Sequence, residues 1–66
     1  MKLTINGEAK EFSVDITLEK MLEELHLQDK VMASAVNMQI VKQNEWATYI
    51  LCDGDKIELL DFVGGG

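Results

Sequence analysis

The residues most open to a chemical role are the three consecutive glycines, Gly64 to Gly66, that end this 66-residue chain. Glycine has no Cβ and adopts positive as well as negative φ, so a glycine run can pass through a channel too narrow for side chains. Three extended residues reach about 10 Å. Such a tail would deliver the α-carboxylate of Gly66 to a partner. Because a carboxylate is a poor electrophile, it would first need a leaving group, which adenylation by ATP supplies.

The other residues that could take part in chemistry are better explained by structural roles. His26 is the only histidine, and a lone histidine at a helix end is typical of a surface position. Asp53 and Asp55 flank Gly54 without the longer loop of a calcium site, so they indicate turn chemistry. Cys52 is the only cysteine, which excludes an internal disulfide and a cysteine-based zinc or iron–sulfur site. We expect no bound metal, and we expect Cys52 to be a small, partly buried apolar residue.

The composition narrows the classes of function. Twelve acidic residues face six basic ones, all lysine, for a net charge of −6. The lack of arginine and of a basic patch argues against nucleic-acid binding and favours a partner with a basic docking surface. Trp46 and Tyr49 are accordingly expected in the core or at a sheet edge rather than stacked on bases. The sequence shows neither an apolar run long enough for a membrane nor a signal peptide, so we expect a cytoplasmic protein.

The hydrophobic periodicity predicts the elements that must position the tail. "KLTIN" and "EAKEFSV" alternate around Asn6-Gly7, which predicts a β-hairpin. The i, i+3, i+4, i+7 spacing that starts at Leu18 predicts a helix over 18–27, with Thr17 as its N-cap. "VMASAVN" is typical of a strand buried on both faces or nearly so.

The second half of the chain predicts shorter elements. A turn at 37–39 leads into the short strand "IV", a helical turn follows at 43–46, and an extended piece covers 49–51. Asp53-Gly54 predicts a second hairpin-type turn before the final strand "DKIELLDFV".

This order of elements predicts an α+β fold. One apolar helix face and one apolar sheet face must cover each other, which favours a mixed sheet of about five strands wrapped over one main helix, the ubiquitin-like β-grasp arrangement. A right-handed crossover through the helix is expected if the strand after it pairs in parallel. The predicted division is a domain at 1–63 and a flexible glycine tail at 64–66.

The final strand predicts an interaction surface. Leu60 and Phe62 alternate in phase with Glu58, on the face opposite to Ile57 and Leu59. Either both faces of this strand are buried internally or the second face meets a partner. In so small a protein the exposed-patch argument favours the partner.

The whole chain resembles the ThiS family, the small ubiquitin-like sulfur carriers of thiazole and thiamin biosynthesis. The resemblance rests on "TLEKMLEEL" after an opening hairpin, "AVNMQIV", "NEW", "DGDKIELL" and the ending "FVGGG". It implies a carrier, not an enzyme, whose Gly66 carboxylate is adenylated with ATP by an E1-like, ThiF-type adenylyltransferase. Sulfur from a cysteine-desulfurase-derived persulfide then gives a C-terminal thiocarboxylate.

The same resemblance implies that a ThiG-type thiazole synthase receives the sulfur, and that Gly64 and Gly65 thread into partner active sites. Such a carrier binds no cofactor itself and is expected to be a monomer when alone. The alternatives are the small subunit of molybdopterin synthase, a ubiquitin-like modifier that forms isopeptides with lysines, and an interaction module whose glycines have no function.

Overall fold

The structure, a computed structural model, describes residues 1–61 and contains one mixed sheet and one α-helix. Phe62, Val63 and the predicted tail lie outside the described residues, so the boundary at 63 stays a prediction. The elements are β1 (Lys2–Ile5), β2 (Glu8–Glu11), α1 (Leu18–Glu24), β3 (Val31–Val36), β4 (Gln39–Val41), a 3₁₀ turn (Gln43–Glu45) and β5 (Lys56–Asp61). The strand order across the sheet is β2-β1-β5-β3-β4, and the predicted arrangement of five strands over one main helix is confirmed.

The opening hairpin forms as predicted, with β1 and β2 antiparallel, but β2 ends at Glu11 instead of continuing to Val14. Its turn residues Asn6 and Gly7 have φ of 49° and 88°, the left-handed values that a two-residue hairpin turn demands. Leu3 and Ile5 point into the core, whereas every residue of β2 is exposed. The hairpin therefore contributes to the core through β1 alone.

Helix α1 begins where the sequence predicts and ends earlier. The Thr17 hydroxyl oxygen accepts a hydrogen bond from the Lys20 amide at 3.1 Å, which confirms the N-cap. The helix stops at Glu24 instead of continuing to 27, because His26 takes a left-handed φ of 59°. The His26 amide then donates to the Glu23 carbonyl and the Leu27 amide to the Leu22 carbonyl. This is the Schellman pattern, with histidine in the position that glycine usually holds.

Strand β3 departs from the prediction that both of its faces are buried. Its register against β5 shifts between Val31 and Ala33, so Met32 is the extra residue of a β-bulge and is 49% exposed. The shift changes which residues face the helix: Val31 is buried before the bulge and Ser34 and Val36 are buried after it. One face of β3 is therefore open.

Strand β1 pairs in parallel with β5, whereas β3, the strand after the helix, is antiparallel to both of its neighbours, β5 and β4. The right-handed crossover is expected only if β3 pairs in parallel, and that condition is not met. The predicted helical turn is confirmed as the 3₁₀ turn.

The core lies between α1 and one face of the sheet. The buried apolar residues are Leu3, Ile5, Ile16, Leu18, Met21, Leu22, Val31, Val36, Val41, Trp46, Leu51 and Ile57.

Candidate functional site: the central strand and its outer face

Strand β5 is the central strand of the sheet and leads toward the C-terminal glycines. It lies between β1, to which Ile57 pairs through Ile5, and β3, where Leu60 pairs with Ala33. The segment that connects the fold to its carboxyl end is therefore held from two sides.

The side chain of Asn6 extends the hydrogen bonding between β1 and β5 beyond the end of β1. Strand β1 ends at Ile5, so β5 continues past the end of its neighbour. The Asn6 amide donates to the Ile57 carbonyl at 2.9 Å, and the Asn6 Oδ1 accepts from the Leu59 amide at 2.9 Å. The asparagine thus satisfies a backbone donor that would otherwise lack a strand partner.

The second turn asparagine, Asn37, holds the start of β5 in the same way. Its Oδ1 accepts from the Lys56 amide at 3.0 Å, and its Nδ2 donates to Asp55 Oδ1 at 2.9 Å. Like Asn6, it has positive φ, here 51°. Sequence reasoning identified both asparagines as turn residues but missed these bonds, since their partners are 19 and 53 positions away in the chain.

Asp53-Gly54 forms a turn, but the turn joins an irregular segment to β5, which within residues 1–61 pairs only with β1 and β3, so the prediction of a hairpin-type turn is wrong. The carboxylates of Asp53 and Asp55 bind backbone amides. Asp53 Oδ1 accepts from the Lys2 amide at 2.7 Å, and Asp55 Oδ2 accepts from the Cys52 amide at 2.8 Å. Gly54 has φ of 87°, which explains why glycine is required there. The prediction for Cys52 is wrong, because its side chain is exposed. It lies in the segment before a surface turn, where no other element covers it.

Three further candidates lie where the sequence predicts. Trp46 is buried, and its indole Nε1 donates to the Val41 carbonyl at 2.9 Å, while Tyr49 packs against the core. His26 is exposed at the helix end. These side chains therefore have structural positions.

The outer face of the sheet, turned away from α1, carries a shallow apolar groove. Ile40 and Leu60 rise on its two sides and are 72% and 57% exposed, while Ala33 and Ala35 form its floor. The groove has a volume of about 290 Å³, and Glu58 also lines it. We call the groove lined by Ala33, Ala35, Ile40, Glu58 and Leu60 the outer groove. Its shape follows from β3, whose two small alanines lie between larger side chains on β4 and β5.

Within residues 1–61, no group of three or more potential ligand side chains could hold a metal ion. No helix of this part of the chain is long and apolar enough to cross a membrane. The outer groove is thus the feature of the described chain that is best suited to contact another molecule. Of the predicted site residues, Leu60 borders this groove, whereas Phe62, Gly64, Gly65 and Gly66 lie outside the described residues.

Comparison with known proteins decides the family. A sequence model of the ThiS family matches residues 3–66. The chain belongs to the ThiS family. The sulfur carrier protein ThiS of Escherichia coli is 35% identical over 66 residues, and the match covers all of both chains.

A longer relative carries the same region. The thiazole synthase of Paramagnetospirillum magneticum is 42% identical over 66 residues, which is all of this chain and 20% of that protein. The chain thus spans about a fifth of that relative's length.

The fold has a solved counterpart. The crystal structure of the thiamine biosynthesis protein ThiS of Geobacter metallireducens superposes with a TM-score of 0.82 at 26% identity, over the full length of both chains. The ubiquitin-like β-grasp prediction is therefore confirmed.

Proposed function

We infer that this chain is a sulfur carrier protein of thiamin biosynthesis. The observation that carries the inference is its end-to-end match to a curated sulfur carrier of the same family, in which all of each chain is aligned. The carrier presents a substrate atom and does no catalysis itself, since its partners supply the catalytic groups. This assignment fits a domain whose histidine and cysteine are isolated surface side chains.

The reacting group is the α-carboxylate of Gly66. A carboxylate oxygen attacks the α-phosphorus of ATP on an E1-like, ThiF-type adenylyltransferase, and pyrophosphate leaves. The terminal sulfur of a cysteine-desulfurase-derived persulfide then attacks the carbonyl carbon, and AMP leaves. A thiol attacks the other sulfur of the resulting acyl disulfide, the S–S bond breaks, and the thiol is oxidised to a disulfide as the thiocarboxylate leaves. In the product one carboxylate oxygen has been replaced by sulfur. A ThiG-type thiazole synthase takes up this sulfur from the thiocarboxylate.

The fold serves this chemistry by holding β5 rigid. The side chains of Asn6 and Asn37 fix the backbone of the strand that leads to the tail. Gly64 and Gly65 pass through the narrow channel of each partner, and Leu60 and Phe62 contact the partner surface. Leu60 supports this assignment because more than half of its side chain is exposed on the open face.

The proposed carrier has a defined oligomeric state, location and set of ligands. The protein works as a monomer in the cytoplasm, binds no cofactor and no nucleic acid, and leaves ATP to the adenylating enzyme. Its net charge of −6 favours rapid encounter with partners whose docking surfaces are basic.

The decisive experiment is an intact mass measurement after incubation with ATP, the E1-like enzyme and a sulfur source. We expect a gain that matches one oxygen replaced by sulfur, localised to Gly66. A variant that lacks Gly66 should show no gain and should unfold like the parent, because Ile57 is the last buried apolar residue in residues 1–61. An unchanged parent mass, with the enzyme active on a known carrier, would refute the carrier role.

The interface is tested by Leu60→Glu and Phe62→Glu. Each should weaken binding to the adenylating enzyme with little loss of monomer stability. For Leu60 the reason is that it lies on an exposed face, where a charge costs little in the free protein. If either variant unfolds instead, that side chain belongs to the internal core and its interface role is wrong.

A further inference from the structure

One charged side chain lines an otherwise small and apolar groove. Glu58 lies on the outer face of β5, and its partner across the sheet is Ala35. The ion pairs within residues 1–61 join Lys10 to Glu8 and Lys20 to Glu23, so Glu58 has no salt-bridge partner in this part of the chain. In the free protein water solvates this exposed carboxylate.

Docking changes the surroundings of that carboxylate. A partner that packs an apolar side chain onto Ala33 and Ala35, between Ile40 and Leu60, must also cover Glu58. A carboxylate that is taken out of water without a partner charge carries a large desolvation penalty. The docking surface must therefore supply a lysine or arginine, and surfaces that lack one are rejected.

We propose that the outer groove is the docking site for thiazole synthase, and that the synthase selects this carrier through a basic residue that pairs with Glu58. An apolar side chain of the synthase fills the space above the two alanines. The proposal rests on the sulfur-carrier function proposed above and adds to it the contact that determines specificity.

The choice of occupant comes from the relatives. A curated thiazole synthase contains, within its own polypeptide, a region that matches the whole of this chain at 42% identity. Joining two units in one polypeptide raises the effective concentration of each near the other. Such a fusion is favourable when the two units must dock with each other repeatedly. The groove also borders β5, the strand that leads to the reactive end, so docking there keeps the carboxyl end close to the synthase.

The charge is tested with Glu58→Lys and a matched control, Glu11→Lys. Glu11 is exposed in β2 and pairs with Lys2, so it lies on the same outer face but away from the groove. Both substitutions change the net charge equally. The assay is calorimetric titration of each variant, loaded as thiocarboxylate, into the thiazole synthase of the same organism. We expect Kd to rise at least about 30-fold for Glu58→Lys and less than about threefold for the control.

The shape is tested independently with Ala35→Leu against Ala9→Leu. Both alanines lie on the outer face, but Ala9 is in β2 at the far edge of the sheet. Filling the groove should raise Kd for the synthase at least about tenfold, whereas Ala9→Leu should leave it unchanged.

Equal Kd values for Glu58→Lys and its control would overturn the proposal. So would slower thiocarboxylate formation by Glu58→Lys with an unchanged Kd for the synthase, since Glu58 would then select the adenylating enzyme, which the proposed function already places in contact with Leu60, and not the synthase. These results differ from failure of the carrier function itself, in which the parent protein never acquires a thiocarboxylate.

Discussion

The buried hydroxyl of Ser34 is the clearest weakness in the core, and Ser34→Ala should stabilise the protein. The side chain is 1% exposed, and within the described part of the chain its Oγ has no hydrogen-bond partner. Burial of an unpaired hydroxyl costs about 1–3 kcal/mol in protein mutational data. Loss of the oxygen leaves a small void that costs up to about 1 kcal/mol. The expected net gain in the free energy of unfolding is therefore about 1 kcal/mol.

Such a gain is measurable in a domain of this size. It corresponds to a rise in Tm of about 4–8 °C. Thermal unfolding followed by circular dichroism, together with urea unfolding, should show a higher midpoint with an unchanged m-value. Ser13→Ala is the control, because Ser13 is exposed and its replacement should change little. A loss of stability in Ser34→Ala would show that the hydroxyl has a partner, and the reasoning would be refuted.

Two further substitutions test other parts of the fold. Met38→Gly should raise the free energy of unfolding by about 0.5–1 kcal/mol, because Met38 has a left-handed φ of 70° and its side chain is 91% exposed; an unchanged urea midpoint would show that this backbone is not strained. Trp46→Phe should lower the free energy of unfolding by about 2–4 kcal/mol, because the Val41 carbonyl loses its buried hydrogen-bond donor and the smaller ring leaves a void. A loss under about 1 kcal/mol would mean that a water molecule replaces the indole N–H as the donor to this carbonyl.

Local patterns in the sequence were sufficient for most of the fold. The alternation around Asn6-Gly7 predicts the hairpin, and the spacing from Leu18 predicts the helix with Thr17 as its cap. Both features depend on interactions between residues close in the chain, so local chemistry decides them. The helix end was less predictable, because a histidine takes the left-handed position that glycine usually marks.

Long-range pairing was the part that local patterns could not predict. The bulge at Met32 arises only when β3 pairs with β5, and it decides that Ser34 faces the core while Ala33 faces outward. The outer groove depends on the same pairing. The hydrogen bonds from the β5 backbone to the side chains of Asn6 and Asn37 are not predictable for the same reason. Nothing in the sequence near either asparagine indicates a hydrogen-bond partner in β5.

The central position of β5 also has a consequence for synthesis on the ribosome. Of the strands in residues 1–61 it is synthesised last, yet it separates β1 from β3 in the finished sheet. Until it emerges, the nascent chain holds two separate hairpins whose facing edges have no partner, and unpaired edges favour aggregation and proteolysis. A chain that stops before β5 would therefore be degraded as an unfolded fragment. It could not persist as a folded decoy that occupies the partner enzymes without a reactive end.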